Sequence, residues 1–223
     1  MLKLSYKETE ALFRLIHDVP EQRARPLFAR FKAFQQLDFP PREKVGRGSR
    51  VGYTFDQVLQ LVSAFELLQA GAMPLRAARS VATNWPEQRR VYALAWAVIG
   101  GMVDIADSDL LAASPLALAE MGGDPPGGSP VVDPLRPVAR AAIAAWLASS
   151  LDEQPMKPSV RRPSMARLLV DPIRLVRAIR DYLPHVVAVT VAEVDDAFKA
   201  VGVEAFGSTS VQGWAARRSR GAV

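Results

Sequence analysis

The sequence predicts a mainly α fold in two parts: a helical first segment interrupted by a basic, glycine-rich hairpin, and a less strongly patterned α+β segment after residue 85. Three observations predict it. Capping boxes open apolar-periodic runs at Ser5–Glu8, Thr54–Gln57 and Thr190–Glu193. The stretch from Pro41 to Tyr53 has no helical period and carries glycines at 46, 48 and 52. The charge is uneven: residues 1–85 hold 13 Lys/Arg against 8 Asp/Glu, and residues 86–223 hold 15 against 15.

Each element of the first segment has its own signal. After the Ser5–Glu8 box, Leu12, Leu15 and Ile16 give one apolar face, so a helix is expected from about Tyr6 to Ile16, broken by His17–Pro20. A second helix carries Leu27, Phe31, Phe34 and Leu37 and ends before Pro40-Pro41. Pro26 either starts this helix or kinks one that begins near Pro20. Thr54 opens a third helix through Phe55, Val58, Leu59, Val62 and Phe65, stopped by Gly71 in a left-handed cap position. Pro74 starts a fourth, with Leu75, Ala78 and Val81, and Trp85-Pro86 closes the segment.

Further on, Val91 to Ile105 is apolar around Gly100-Gly101, which suits a two-residue hairpin turn. A loop spans 124–130, and Asp133-Pro134 caps an expected helix through Val138, Ala142, Ile143 and Trp146. Residues 154–163 read as a proline-rich linker, and Met165–Val170 as a strand. Asp171-Pro172 caps a helix through Ile173, Val176, Ile179 and Leu183, and Thr190 caps another through Val194, Phe198 and Val201. The expected domains are therefore 1–85 and 86–212, followed by a basic tail, 213–223, that frays.

Composition removes several functional classes. The chain has no cysteine, which excludes disulfides, thiolate metal sites and a thiol nucleophile. Its two histidines, His17 and His185, cannot build a multi-histidine centre. His17 at a helix end reads as exposed or capping, and His185 as structural. The longest apolar stretch, Val91 to Val103, is short for a bilayer, and Lys3, Lys7, Glu8 and Glu10 interrupt any signal sequence, so the expected setting is cytoplasmic, nucleoid-associated in a bacterium, with no membrane partner. GRGSRVG lacks the helix and third glycine of a dinucleotide loop. Asp104, Asp107 and Asp109 do not have calcium-loop spacing and read as an acidic loop. No enzyme activity and no cofactor are expected.

Two helices, a basic glycine-rich hairpin and two more helices form the element order of a winged helix-turn-helix. In that module the second helix enters the major groove and the hairpin rides on flanking phosphates. On a helical wheel Leu27, Phe31 and Phe34 cluster on one side, while Gln22, Arg25, Ala29, Lys32 and Gln36 fall opposite. Gln and Arg can bond purine edges in pairs, and Ala29 lets the backbone approach. A solvent-facing stripe would have the same spacing. In the hairpin, Arg42, Lys44, Arg47 and Arg50 can reach phosphates or a narrow minor groove, and Tyr53 either packs the hairpin's end or bonds a phosphate.

From Ala29 to Trp85 the chain resembles the MerR-type winged-helix DNA-binding domain. ARFKAFQQLDFPP (29–41) takes the place of the recognition helix and its following turn. GRGSRVGYTFDQVLQL (46–61) is similar to the end of the wing leading into the third helix, and LLQAGAMPLRAARSV (67–81) to the break before the fourth. Asp38 replaces the usual glycine, and Ala33 and Phe34 replace a tyrosine pair. The cysteines of the family's metal-sensing members are absent, and its long antiparallel dimerisation helix is not evident, because Pro86 and Gly100-Gly101 interrupt that region. The resemblance implies a sequence-specific double-stranded DNA-binding transcription regulator. RNA polymerase or another transcription factor is a further partner expected of such a protein. A homodimer is expected because one such module makes a small DNA interface, with Val138–Leu147 and Ile173–Leu183 as the contact surface. The alternative is an adaptor whose winged helix docks a protein.

Overall fold

The three capping boxes close as their sequences require. In the computed structural model, which describes residues 2–41, 52–113, 135–148, 168–207 and 210–214, the chain is mainly helical. The first box is completed by Ser5 N–H to Glu8 Oε2 at 2.6 Å and Glu8 N–H to Ser5 Oγ at 3.3 Å. It opens α1, Tyr6–Ile16. The other two open α3, Phe55–Gln69, and α8, Val191–Phe206. Between them lie α2 (Arg25–Gln36), α4 (Pro74–Thr83), α5 (Trp85–Ile99), α6 (Ile143–Ala148) and α7 (Pro172–Val186).

Two small antiparallel sheets complete the fold. β1, Lys3–Ser5, pairs with β2, Gly52–Thr54, placing Leu4 opposite Tyr53, both buried. β3, Asp109–Ala113, lies between β4, Arg136–Ala139, and β5, Leu168–Val170.

Four helices stop by one device. In the two-bond left-handed cap, the first residue past the cap bonds the second-last helical carbonyl, and the next residue bonds the one before it. At the end of α3 these are Gly71 N–H to Leu68 O, 3.0 Å, and Ala72 N–H to Leu67 O, 3.0 Å. At the end of α5 they are Gly101 to Val98, 3.0 Å, and Met102 to Ala97, 2.8 Å. Helices α1 and α2 end in the same way but with aspartates in the left-handed position, Asp18 at φ 49° and Asp38 at φ 51°. Asp38 thus adopts the backbone that a glycine would otherwise supply, and Asp tolerates it better than most residues because its short polar side chain bonds locally.

Three sequence expectations are corrected. Gly100-Gly101 does not turn a hairpin: Trp85–Ile99 is one helix, with Pro86 in its first turn, and the glycines cap it. The apolar run there reflects a helix buried on most sides, from Val91 to Ala95 and at Ala97. Residues 136–139 form a strand rather than the start of a helix, and the helix in this region is only the short α6; Asp133-Pro134 lies outside the described residues. Finally, Ile173, Val176, Ile179 and Leu183 are buried within the chain, so they cannot form a dimer surface.

The buried apolar residues of the two expected domains form one cluster running from Leu4 to Val201. Helix α1 packs on α7, and Phe55 of α3 meets Phe198 of α8 edge to face at 4.8 Å. Polar ties knit the second part together and join it to the first. Asp195 of α8 accepts from Trp96 Nε1 at 3.0 Å and from Arg180 Nε and Nη2 at 2.9 and 3.1 Å, joining α5, α7 and α8. Buried Gln88 donates to Leu135 O at 3.1 Å, and Ser80 Oγ accepts from Leu135 N–H at 2.8 Å, which fixes the entry to β4.

Candidate nucleic-acid interface

Helix α2 is held by aromatic packing. Leu27, Phe31 and Phe34 are buried. Phe31 meets Phe13 of α1 at 5.0 Å and Phe65 of α3 at 4.8 Å, and Phe34 meets Phe65 at 5.6 Å. One further bond, from Gln35 Nε2 to Tyr53 Oη at 3.3 Å, ties the helix to β2. The side facing away from these contacts exposes Arg25, Ala29, Lys32 and Gln36, and α2 contains no carboxylate. Its amides and cations can donate to phosphate oxygens or base edges.

The expected site residues fall into four groups. Arg25, Lys32 and Gln36 lie together on the outward stripe of α2. Gln22 is exposed but sits in a separate 3-10 turn, Glu21–Arg23, because the helix begins at Arg25 with Pro26 in its first turn. Gln22 therefore does not share the helical register expected for it. Tyr53 is 1% exposed, so its alternative as a phosphate ligand gives way to the core role. Arg42, Lys44, Arg47 and Arg50 lie outside the described residues.

The two ends of that basic segment are described, and Gln57 joins them. Its Oε1 accepts from Thr54 N–H at 2.9 Å and its Nε2 donates to Pro41 O at 2.7 Å. The capping box thus also fastens the chain where it enters the segment, which the sequence did not disclose. Next to it an open cavity of about 360 Å³ is lined by Pro41, Thr54, Asp56, Trp85, Arg89 and Glu204, among others. Its polar groups are already engaged with one another. Asp56 accepts from Trp85 Nε1 at 2.9 Å, Arg89 Nε at 2.8 Å and Gln60 Nε2 at 3.0 Å, and Arg89 also pairs with Glu204 at 3.1 Å.

Behind α2, His17 caps α1 with its side chain only 10% exposed and its ring stacked at 6.0 Å on Phe65. The exposed reading of this residue is corrected. Its Nδ1 lies 2.8 Å from Gln69 Nε2 and 3.8 Å from Glu66 Oε1, while its buried Nε2 has no hydrogen-bond partner. Burial, reinforced by the Arg174 and Arg30 charges, pushes its pKa down to about 4. Burial pushes the neighbouring Glu66 up. His185 is exposed.

Sequence reasoning missed Phe28, an exposed aromatic on the flank of the α2 stripe, and Gln35, which anchors the helix. Phe28 follows Leu27 directly, so a continuous apolar pair concealed that only one of the two faces the core. Among the described residues no three side chains of the His, Asp and Glu type gather to hold a metal, and no helix is long and apolar enough to cross a membrane. Asp104, from the acidic loop, caps a 3-10 turn through Ala106 N–H at 2.8 Å. Comparison with known proteins found no matching family model, no similar curated protein and no similar solved structure.

Proposed function

We propose that the chain is a sequence-specific double-stranded DNA-binding transcription regulator whose first segment works as a winged helix-turn-helix. The observation that carries this reading is the outward stripe of α2. It is exposed and free of carboxylates, bears Arg25, Lys32 and Gln36, and is held rigidly from behind by Phe31 and Phe34. Supporting it is the order β1–α1–α2–basic segment–β2–α3–α4, with β1 paired to β2. On this reading α2 lies in the major groove and Arg42, Lys44, Arg47 and Arg50 neutralise flanking phosphates. The module's small interface also favours a pair of chains on DNA.

Duplex binding measured by fluorescence anisotropy across a salt series tests it. If about six phosphates are neutralised, affinity falls on the order of a thousandfold between 50 and 200 mM salt. Lys32→Ala or Arg25→Ala costs about 1–3 kcal/mol on the preferred site and relaxes preference at one position, whereas Arg47→Ala or Arg50→Ala weakens all sequences alike and shallows the salt slope by about one. Unchanged binding in all four variants overturns the reading in favour of a protein-docking adaptor.

A further inference from the structure

An aromatic residue stands on the flank of the outward stripe of α2, next to its cations. Phe28 is 36% exposed. It stands three residues after Arg25 and four before Lys32, so its ring lies one turn from each along the same side of the helix. Ala29 beside it is also exposed. Their neighbours Leu27 and Phe31 take the core side, 3% and 0% exposed. Successive helical residues project about 100° apart, so Phe28 and Ala29 stand on either side of Arg25 and Lys32; with no acidic residue on the helix, this composition is complementary to a polyanion that presents apolar groups between its charges. Duplex DNA is such a partner, because its major groove displays the thymine 5-methyl group among base-edge acceptors. Helical side chains lean towards the N-terminus, so Phe28 covers the first turn of α2, the end from which recognition helices touch base edges.

We propose that Phe28 and Ala29 form an apolar contact for thymine 5-methyl groups, so that the preferred duplex carries A·T pairs opposite the first turn of α2. The inference rests on the DNA-binding reading and adds to it a chemical class of sequence. Gln36 lies about 12 Å further along the helix axis. From there it reads a separate pair, and its amide suits adenine.

The test begins by selecting preferred duplexes from a random pool with the full chain. Each thymine of a selected duplex is then replaced by deoxyuridine, which removes only the methyl group. Wild-type protein is expected to lose about fourfold in affinity at one or two adjacent positions, the factor given by withdrawing one methyl-sized apolar group from burial. Phe28→Ala, whose circular dichroism should match wild type because the side chain is exposed, is expected to bind the thymine and deoxyuridine duplexes equally at those positions. Wild-type protein that binds the selected duplex but is indifferent to every methyl overturns the inference and leaves the DNA-binding reading standing. So does a methyl effect that persists unchanged in Phe28→Ala. A chain that enriches no duplex overturns both.

Discussion

At the scale of single residues, the backbone and the buried charges make separate demands. Asp38 holds a left-handed backbone at φ 51° at the end of α2. A Cβ in that region costs about 1–2 kcal/mol. Asp38→Ala should therefore be less stable than Asp38→Gly by about that amount in urea unfolding, a comparison free of the aspartate's own contacts. His17 makes the second demand. Its pKa is about 4 in the folded chain against about 6.5 unfolded. The unfolded state thus binds the extra proton first, and stability should fall as pH drops from about 6.5 to about 4, by about 3 kcal/mol from this group. Glu66, raised by burial, acts in the opposite sense. The difference in acid slope between wild type and His17→Gln isolates the histidine. Equal slopes would show that its ring is solvated.

At the scale of elements, α2 and the basic segment depend on ties to β2 and α3. Gln57 serves both ends of the segment with one amide. Gln57→Glu keeps an acceptor for Thr54 N–H, since glutamate completes a capping box equally well, but it turns an acceptor towards Pro41 O. That substitution should cost about 1 kcal/mol in a urea midpoint. An unchanged midpoint would mean that the bond to Pro41 contributes nothing. Helix α5 illustrates how burial obscures an element. Its run from Val91 to Ala97 is apolar on almost every side, so the 3.6-residue period that distinguishes a helix from a strand is weak, and the two glycines read as a hairpin turn.

At the scale of the whole molecule, the core crosses residue 85 without a break. Phe55 lies against Phe198, α1 packs on α7, and Arg89 of α5 links Asp56 of α3 to Glu204 of α8. Contacts of this kind predict that the two parts unfold together. Far-ultraviolet circular dichroism and tryptophan fluorescence should report a single coincident unfolding transition. Two separated transitions would instead restore a boundary near residue 85.

What the sequence determined by itself is local. The boxes at Ser5, Thr54 and Thr190, the stop at Gly71 and the period of α7 are encoded within a few residues, because caps and amphipathic faces are made by near neighbours. The outward placement of Arg25, Lys32 and Gln36 was legible for the same reason. Only the tertiary structure decided that Tyr53 is core, that Phe28 faces outward while Leu27 does not, that the His17 ring is largely covered, and that Ile173, Val176, Ile179 and Leu183 face inward. Each of these depends on which element packs against which. Partners such as Gln35 and Tyr53, or Asp56 and Arg89, lie 18 and 33 residues apart, where no local spacing records the contact.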